Sequence, residues 1–90
     1  MIKHFDITIQ GQVQGVWFRD STQKEAKQLG INGFVRNEPD GSVYVEAEGE
    51  PDKLDELVKW CYTGPERAVV ANVDVSEGDL KHFNEFIVSN

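Results

Sequence analysis

Residues 31–49, INGFVRNEPDGSVYVEAEG, decide the architecture. The first seven, INGFVRN, read as a strand. NEPDG is the turn: Pro39 suits an early turn position and Asp40-Gly41 is a strong hairpin signal. Beyond it Val43, Val45 and Ala47 alternate with Tyr44, Glu46 and Glu48, the period-two pattern of a strand with one buried face. An antiparallel hairpin therefore sits at the centre of the chain, and a strand and a helix lie on each side of it.

Upstream, Phe5, Ile7 and Ile9 alternate with His4, Asp6, Thr8 and Gln10, so residues 3–10 read as a half-buried strand. After a glycine-containing loop, Phe18, Thr22, Ala26 and Leu29 recur at helical spacing opposite Gln23, Lys24, Lys27 and Gln28. Gly30 ends that helix as a C-cap. Downstream of the hairpin, Pro51 opens a second helix with Asp52 beside it. Leu54, Leu57, Val58 and Cys61 form its apolar stripe, and Gly64-Pro65 stops it. In a fourth strand Val69, Ala71, Val73 and Val75 alternate with Val70, Asn72 and Asp74. SEGD, residues 76–79, turns the chain, and FNEFIV, residues 83–88, makes a short last strand. The order β-α-β-β-α-β plus a short strand is that of an α+β, ferredoxin-like sandwich. Two right-handed crossovers place both helices on one face of a mainly antiparallel sheet. The other face is expected to be open to solvent.

Ninety residues, 39% hydrophobic and 28% charged, suit one globular domain spanning 1–90. No apolar run is long enough to span a membrane, and MIKHFDITIQ alternates too quickly for a signal peptide. Cys61 is the only cysteine, which fits a reducing cytoplasm. The expected state is a monomer. Nine Lys and Arg are scattered among sixteen acids, for a net charge of −7, so a basic stripe for nucleic acid is not supported. Such a field slows the approach of a small anion. An anion site must be built locally, from a few donors held in place.

The place for one is GQVQGVWFRD, residues 11–20. A loop between a strand and a helix offers free backbone N–H groups and the positive end of the helix together. Glycine lets the backbone turn with positive φ and come close to a ligand, and consecutive N–H groups can form a concave nest for an oxyanion. Arg19 follows in the first helical turn, and its planar donor fork matches two phosphate oxygens. By itself the loop reads first as a tight connection with Arg19 on the surface, since glycine pairs are common in turns. Against that, an arginine in a first turn opposes the helix dipole, and a locally unfavourable cation suggests a local anion. The spacing is not that of a P-loop. No cysteine lies there to carry a phosphoryl group, and no His lies near Ser21 to activate it, so direct attack by water is the economical route. Asn37, at the end of the second strand, could orient that water: an amide both accepts and donates without repelling phosphate. It reads equally well as a turn-starting residue bonded to its own backbone.

Other groupings read as structural. Glu46, Glu48, Glu50, Asp52, Asp55 and Glu56 suit a solvated strand edge and helix start rather than a cation site. His4 and His82 lack partners at zinc-ligand spacing and read as surface residues. Cys61 reads as core rather than nucleophile. Trp60 reads as packing, and Trp17 and Phe18 as core anchors rather than a base-stacking pair.

Along nearly its whole length the chain resembles the acylphosphatase family. GQVQGVWFR is similar to that family's glycine loop ending in arginine. GINGFVRNEPDGSVYVEAEG is similar to its second motif, and GPERAVVANV and FNEFIV match in type and position. The resemblance implies a hydrolase that cleaves acyl phosphates to a carboxylate and inorganic phosphate, without metal, organic cofactor or covalent phosphoenzyme. It implies that Arg19 binds phosphate, that Asn37 positions the attacking water, and that backbone amides of Gln14, Gly15, Val16, Trp17 and Phe18 cradle the phosphate. Departures are minor: Trp17 at the second aromatic position, and a tail ending FIVSN at Asn90. The competing expectation is a non-catalytic ferredoxin-like module binding a small molecule or protein, since this fold hosts many functions. A further rival is a relative of the acylphosphatase-like domain of larger carbamoyl-transfer maturation proteins.

Overall fold

A computed structural model describes residues 1–89; Asn90 lies outside the described residues. The elements run β1 (Lys3–Gln12), α1 (Phe18–Gln28), β2 (Asn32–Asn37), β3 (Val43–Gly49), α2 (Pro51–Thr63), β4 (Val69–Gly78) and β5 (Phe86–Val88). The sheet order is β4-β1-β3-β2-β5. Every pairing is antiparallel except that of β2 with β5, which is parallel. The hairpin forms, with Arg36 opposite Tyr44 and Asn37 opposite Val43. Apolar residues of one sheet face, among them Ile7, Ile9, Val35, Val43 and Val45, pack with Phe18 and Ala26 of α1 and Leu54, Leu57 and Cys61 of α2. Burial raises the Cys61 thiol to about 12, so it is an inert core residue at neutral pH.

Three sequence expectations change. First, β4 does not alternate cleanly. Its pairing with β1 shifts at Gln10/Gly11, where Asn72 and then Val70 stand opposite, leaving Ala71 without a counterpart. One extra residue moves side chains to the other face. Val70, not Val69, therefore packs on the core, while Val73 is buried and Val69 and Val75 are exposed. Second, β4 runs through the SEGD stretch to Gly78, and the last strand shortens to Phe86–Val88.

Third, the face without helices is not simply open. The irregular segment 79–85, which turns left-handed at His82, lies against β1 and β3. His4, Glu46 and Glu48 are only 2%, 6% and 4% exposed there, although the sequence places them at the surface. His4 Nδ1 bonds Glu48 at 2.8 Å, and its Nε2 lies 2.8 Å from Asp6 and 3.5 Å from Glu46. Glu48 accepts the backbone N–H groups of Lys81 at 2.6 Å and Phe83 at 3.0 Å, and the Lys81 ammonium bonds Glu46 at 2.7 Å. A segment without a ladder partner leaves its N–H groups in need of acceptors, and the buried Glu48 carboxylate supplies one for Lys81 and one for Phe83. Burial alone would lower His4. Its hydrogen bonds to Glu48 and Asp6, and their charges, outweigh burial and hold it above its ordinary 6.5. For Glu48, burial raises the pKa, but the Lys81 N–H, His4 and the Phe83 N–H prevail and hold it below 4.5.

Candidate active site

The loop between β1 and α1 is pinned at both ends by buried apolar side chains, Val13 and Phe18. Phe18 packs on Trp60 with ring centroids 5.4 Å apart. Between these anchors the backbone turns left-handed twice, at Gly15 (φ 75) and Trp17 (φ 66). The N–H groups of Gln14, Gly15, Val16, Trp17, Phe18 and Arg19 donate to no backbone acceptor among the described residues. Left-handed positions turn successive N–H groups toward a common side, and α1 adds the positive end of its dipole. Trp17 is not the core anchor expected of it. It is 74% exposed, because at this left-handed position the chain gives the inward place to Phe18. Val16 packs partly against the core.

Arg19, the second residue of α1, is half-buried. Its guanidinium donates to the Ser89 carbonyl at 3.2 Å, and the Ser89 N–H donates to the Val35 carbonyl at 2.8 Å. The residue after β5 thereby ties Arg19 to β2, the strand that ends at Asn37. No carboxylate lies within ion-pair distance of Arg19 among the described residues. A second tie comes from Gln14, whose Nε2 donates to the Glu38 and Ser42 carbonyls, each at 2.8 Å. This fastens the loop to the turn that follows Asn37. These ties bring the loop and Arg19 toward the end of the sheet where β2 finishes at Asn37. Gly15, Trp17, Phe18, Arg19 and Asp20 line a cleft of about 260 Å³, and Asn37 is not part of that lining.

Asn37 carries the one buried side-chain oxygen or nitrogen that lacks a hydrogen-bond partner among the described residues, its Oδ1. The alternative reading, a turn asparagine bonded to its own backbone, would satisfy that atom. The turn is instead closed by Asp40, whose carboxylate accepts from the Ser42 N–H at 2.9 Å and the Ser42 hydroxyl at 2.6 Å. A buried carbonyl oxygen without a donor costs about 1–3 kcal/mol, and a water held there would recover it.

Two positioning contacts escape sequence reasoning, the Gln14 side chain and the Ser89 carbonyl. Gln14 enters the motif only through its backbone, and a main-chain carbonyl carries no sequence signal. One further group has metal-ligand composition: His4, Asp6 and Glu46, with ligating atoms within 4.8 Å of one another. It is already neutralised internally, since both His4 nitrogens are bonded and Lys81 holds Glu46.

A family model described as Acylphosphatase matches residues 5–88. An acylphosphatase of Marinobacter nauticus is 50% identical over 76 residues, covering 84% of this chain and 83% of that protein. The solved structure of an acylphosphatase from Coxiella burnetii superposes with a TM-score of 0.95 at 36% identity, covering 98% of this chain and 93% of that one. Full-length HypF, solved in a phosphate- and nucleotide-bound form, contains a similar region. There the TM-score is 0.91 at 26% identity, over all of this chain and 12% of that one. With its glycine loop, arginine and strand-end asparagine set in this topology, the chain belongs to the acylphosphatase family.

Proposed function

We propose that this chain hydrolyses acyl phosphates at the corner formed by the 14–18 loop, Arg19 and Asn37, acting as a single domain over 1–90. The amides of Gln14, Gly15, Val16, Trp17 and Phe18 and the Arg19 guanidinium hold the phosphoryl oxygens and stabilise charge on them as the bond to the acyl oxygen loosens. Water on the Asn37 oxygen attacks phosphorus in line. Its oxygen forms the new P–O bond, the acyl P–O bond breaks, and the carboxylate leaves with the bonding pair. The water's proton passes to a phosphate oxygen, so the products are a carboxylate and inorganic phosphate. A carboxylate leaves readily, so no strong general acid is required.

The observation that carries this reading is the run of unpaired amides beside a guanidinium that has no carboxylate partner among the described residues. That donor set suits a tetrahedral dianion, and its amides make no backbone hydrogen bond of the fold among the described residues. The test is phosphate release from benzoyl phosphate in the presence of a chelator. Turnover that survives the chelator and is lost in Arg19→Ala is the expected result. Phosphate binding without turnover would instead favour a non-catalytic module. We further infer a monomer working in a reducing cytoplasm, in keeping with the lone buried thiol of Cys61. Sedimentation and cell fractionation check these two points. No helix among the described residues is long and apolar enough to cross a membrane.

A further inference from the structure

We propose that Trp17 and Asp20 select the acyl half of the substrate, favouring uncharged aryl or bulky apolar acyl groups over those that carry a second negative charge. This inference rests on the acyl phosphate reading above and adds the substrate class.

Trp17 is where the backbone and the side chain make opposite demands. Its φ of 66 and ψ of 21 are left-handed, a region that suits glycine and is unfavourable for any bulky residue. The amide nest requires that turn, but glycine would supply it without strain. The indole gives nothing back to the fold. It is 74% exposed, lies outside the hydrophobic core, pairs with no other ring among the described residues, and makes no cap hydrogen bond for α1. Strain held at a position beside a binding loop points to a role in binding.

The location defines that role. Trp17 lines the same cleft as Gly15 and Arg19. With the phosphoryl group on the loop amides and Arg19, an acyl group leaving in line emerges into this cleft. The indole is its one exposed large apolar surface. An aryl ring covering the indole gains contact area and ring–ring attraction. An acetyl group is too small to cover it.

Asp20 shares the cleft, is exposed, and makes no ion pair among the described residues. Its carboxylate, in a chain of net charge −7, opposes an acyl group bearing its own carboxylate.

The experiment compares kcat/KM for benzoyl, acetyl and succinyl phosphate, the last carrying a free carboxylate. The wild-type order expected is benzoyl, then acetyl, then succinyl. Trp17→Gly keeps the left-handed turn available and removes the indole. It lowers the benzoyl-to-acetyl ratio about five- to tenfold, mainly through KM. Trp17→Phe restores most of that ratio, which a structural role for the indole would not require. Asp20→Asn raises the succinyl-to-acetyl ratio about threefold at low salt, an effect that fades as salt screens it. A benzoyl-to-acetyl ratio unchanged in Trp17→Gly, or a wild type that cleaves succinyl as well as acetyl phosphate, overturns the inference. Cleavage of none of the three by the wild type would overturn the acyl phosphate reading itself.

Discussion

At the scale of single residues, the proposed mechanism gives Arg19 and Asn37 different parts of one reaction, so their substitutions should separate. Arg19 is the one cation at the loop and is held in place by the Ser89 carbonyl. Arg19→Ala should lower kcat/KM by at least roughly 10²–10³, the usual loss for a preorganised donor, and should weaken competitive inhibition by inorganic phosphate. Arg19→Lys should restore little, because a point charge cannot reproduce the fork that binds two oxygens while a third contact reaches Ser89. Asn37→Ala should reduce kcat by about 10² while changing the phosphate inhibition constant little. It also deletes the orphan Oδ1, so resistance to urea should hold or rise by up to about 1–2 kcal/mol. An Asn37→Ala enzyme with normal kcat would remove Asn37 from the mechanism.

At the scale of elements, the hairpin that opens the sequence reading is also the frame of the site, and one glycine governs its closure. A Cβ on Gly33 (φ 149) would stand 1.8 Å from the Glu46 carbonyl oxygen. Backbone cannot move aside as a side-chain end can, so Gly33→Ala should cost roughly 3 kcal/mol in denaturant unfolding. The Gln14 latch joins the 14–18 loop to this hairpin through two carbonyls. Gln14→Ala should raise the phosphate inhibition constant about tenfold while costing only about 1 kcal/mol of stability. Equal affinity in that variant would show that the loop holds its shape alone. The hairpin was legible in the sequence because turn chemistry and period-two alternation agree over residues 31–49. The β4 face was not, because a bulge is set by how β1 and β4 meet rather than by either strand's own residues.

At the scale of the molecule, the network of His4, Asp6, Glu46, Glu48 and Lys81, with the Tyr44 hydroxyl donating to Glu46 at 2.8 Å, fastens segment 79–85 to the sheet. Two of its groups set a pH window. His4 is held above 6.5, so its stabilisation is complete below 6.5 and is lost as pH rises through its folded value. Glu48 is held below 4.5, so its stabilisation is complete above 4.5 and is lost as pH falls through its folded value. Both contributions are whole between about 4.5 and 6.5. The melting temperature should decline as pH rises above that interval, and His4→Gln should flatten the decline. A wild-type profile level across neutral and mildly alkaline pH would contradict it. The segment leads into β5 and Ser89, so the same network supports the carbonyl that grips Arg19.

The sequence by itself determined the element order, the hairpin and its turn, the two helices and the two motifs that carry Arg19 and Asn37. Each of these is written in local periodicity, turn residues or adjacent positions. Only the tertiary structure decided that His4, Glu46 and Glu48 are buried, that Trp17 faces outward, and that the Gln14 side chain and the Ser89 carbonyl hold the site together. Those facts depend on which distant segment lies across which face, and no stretch of sequence records what will be packed against it.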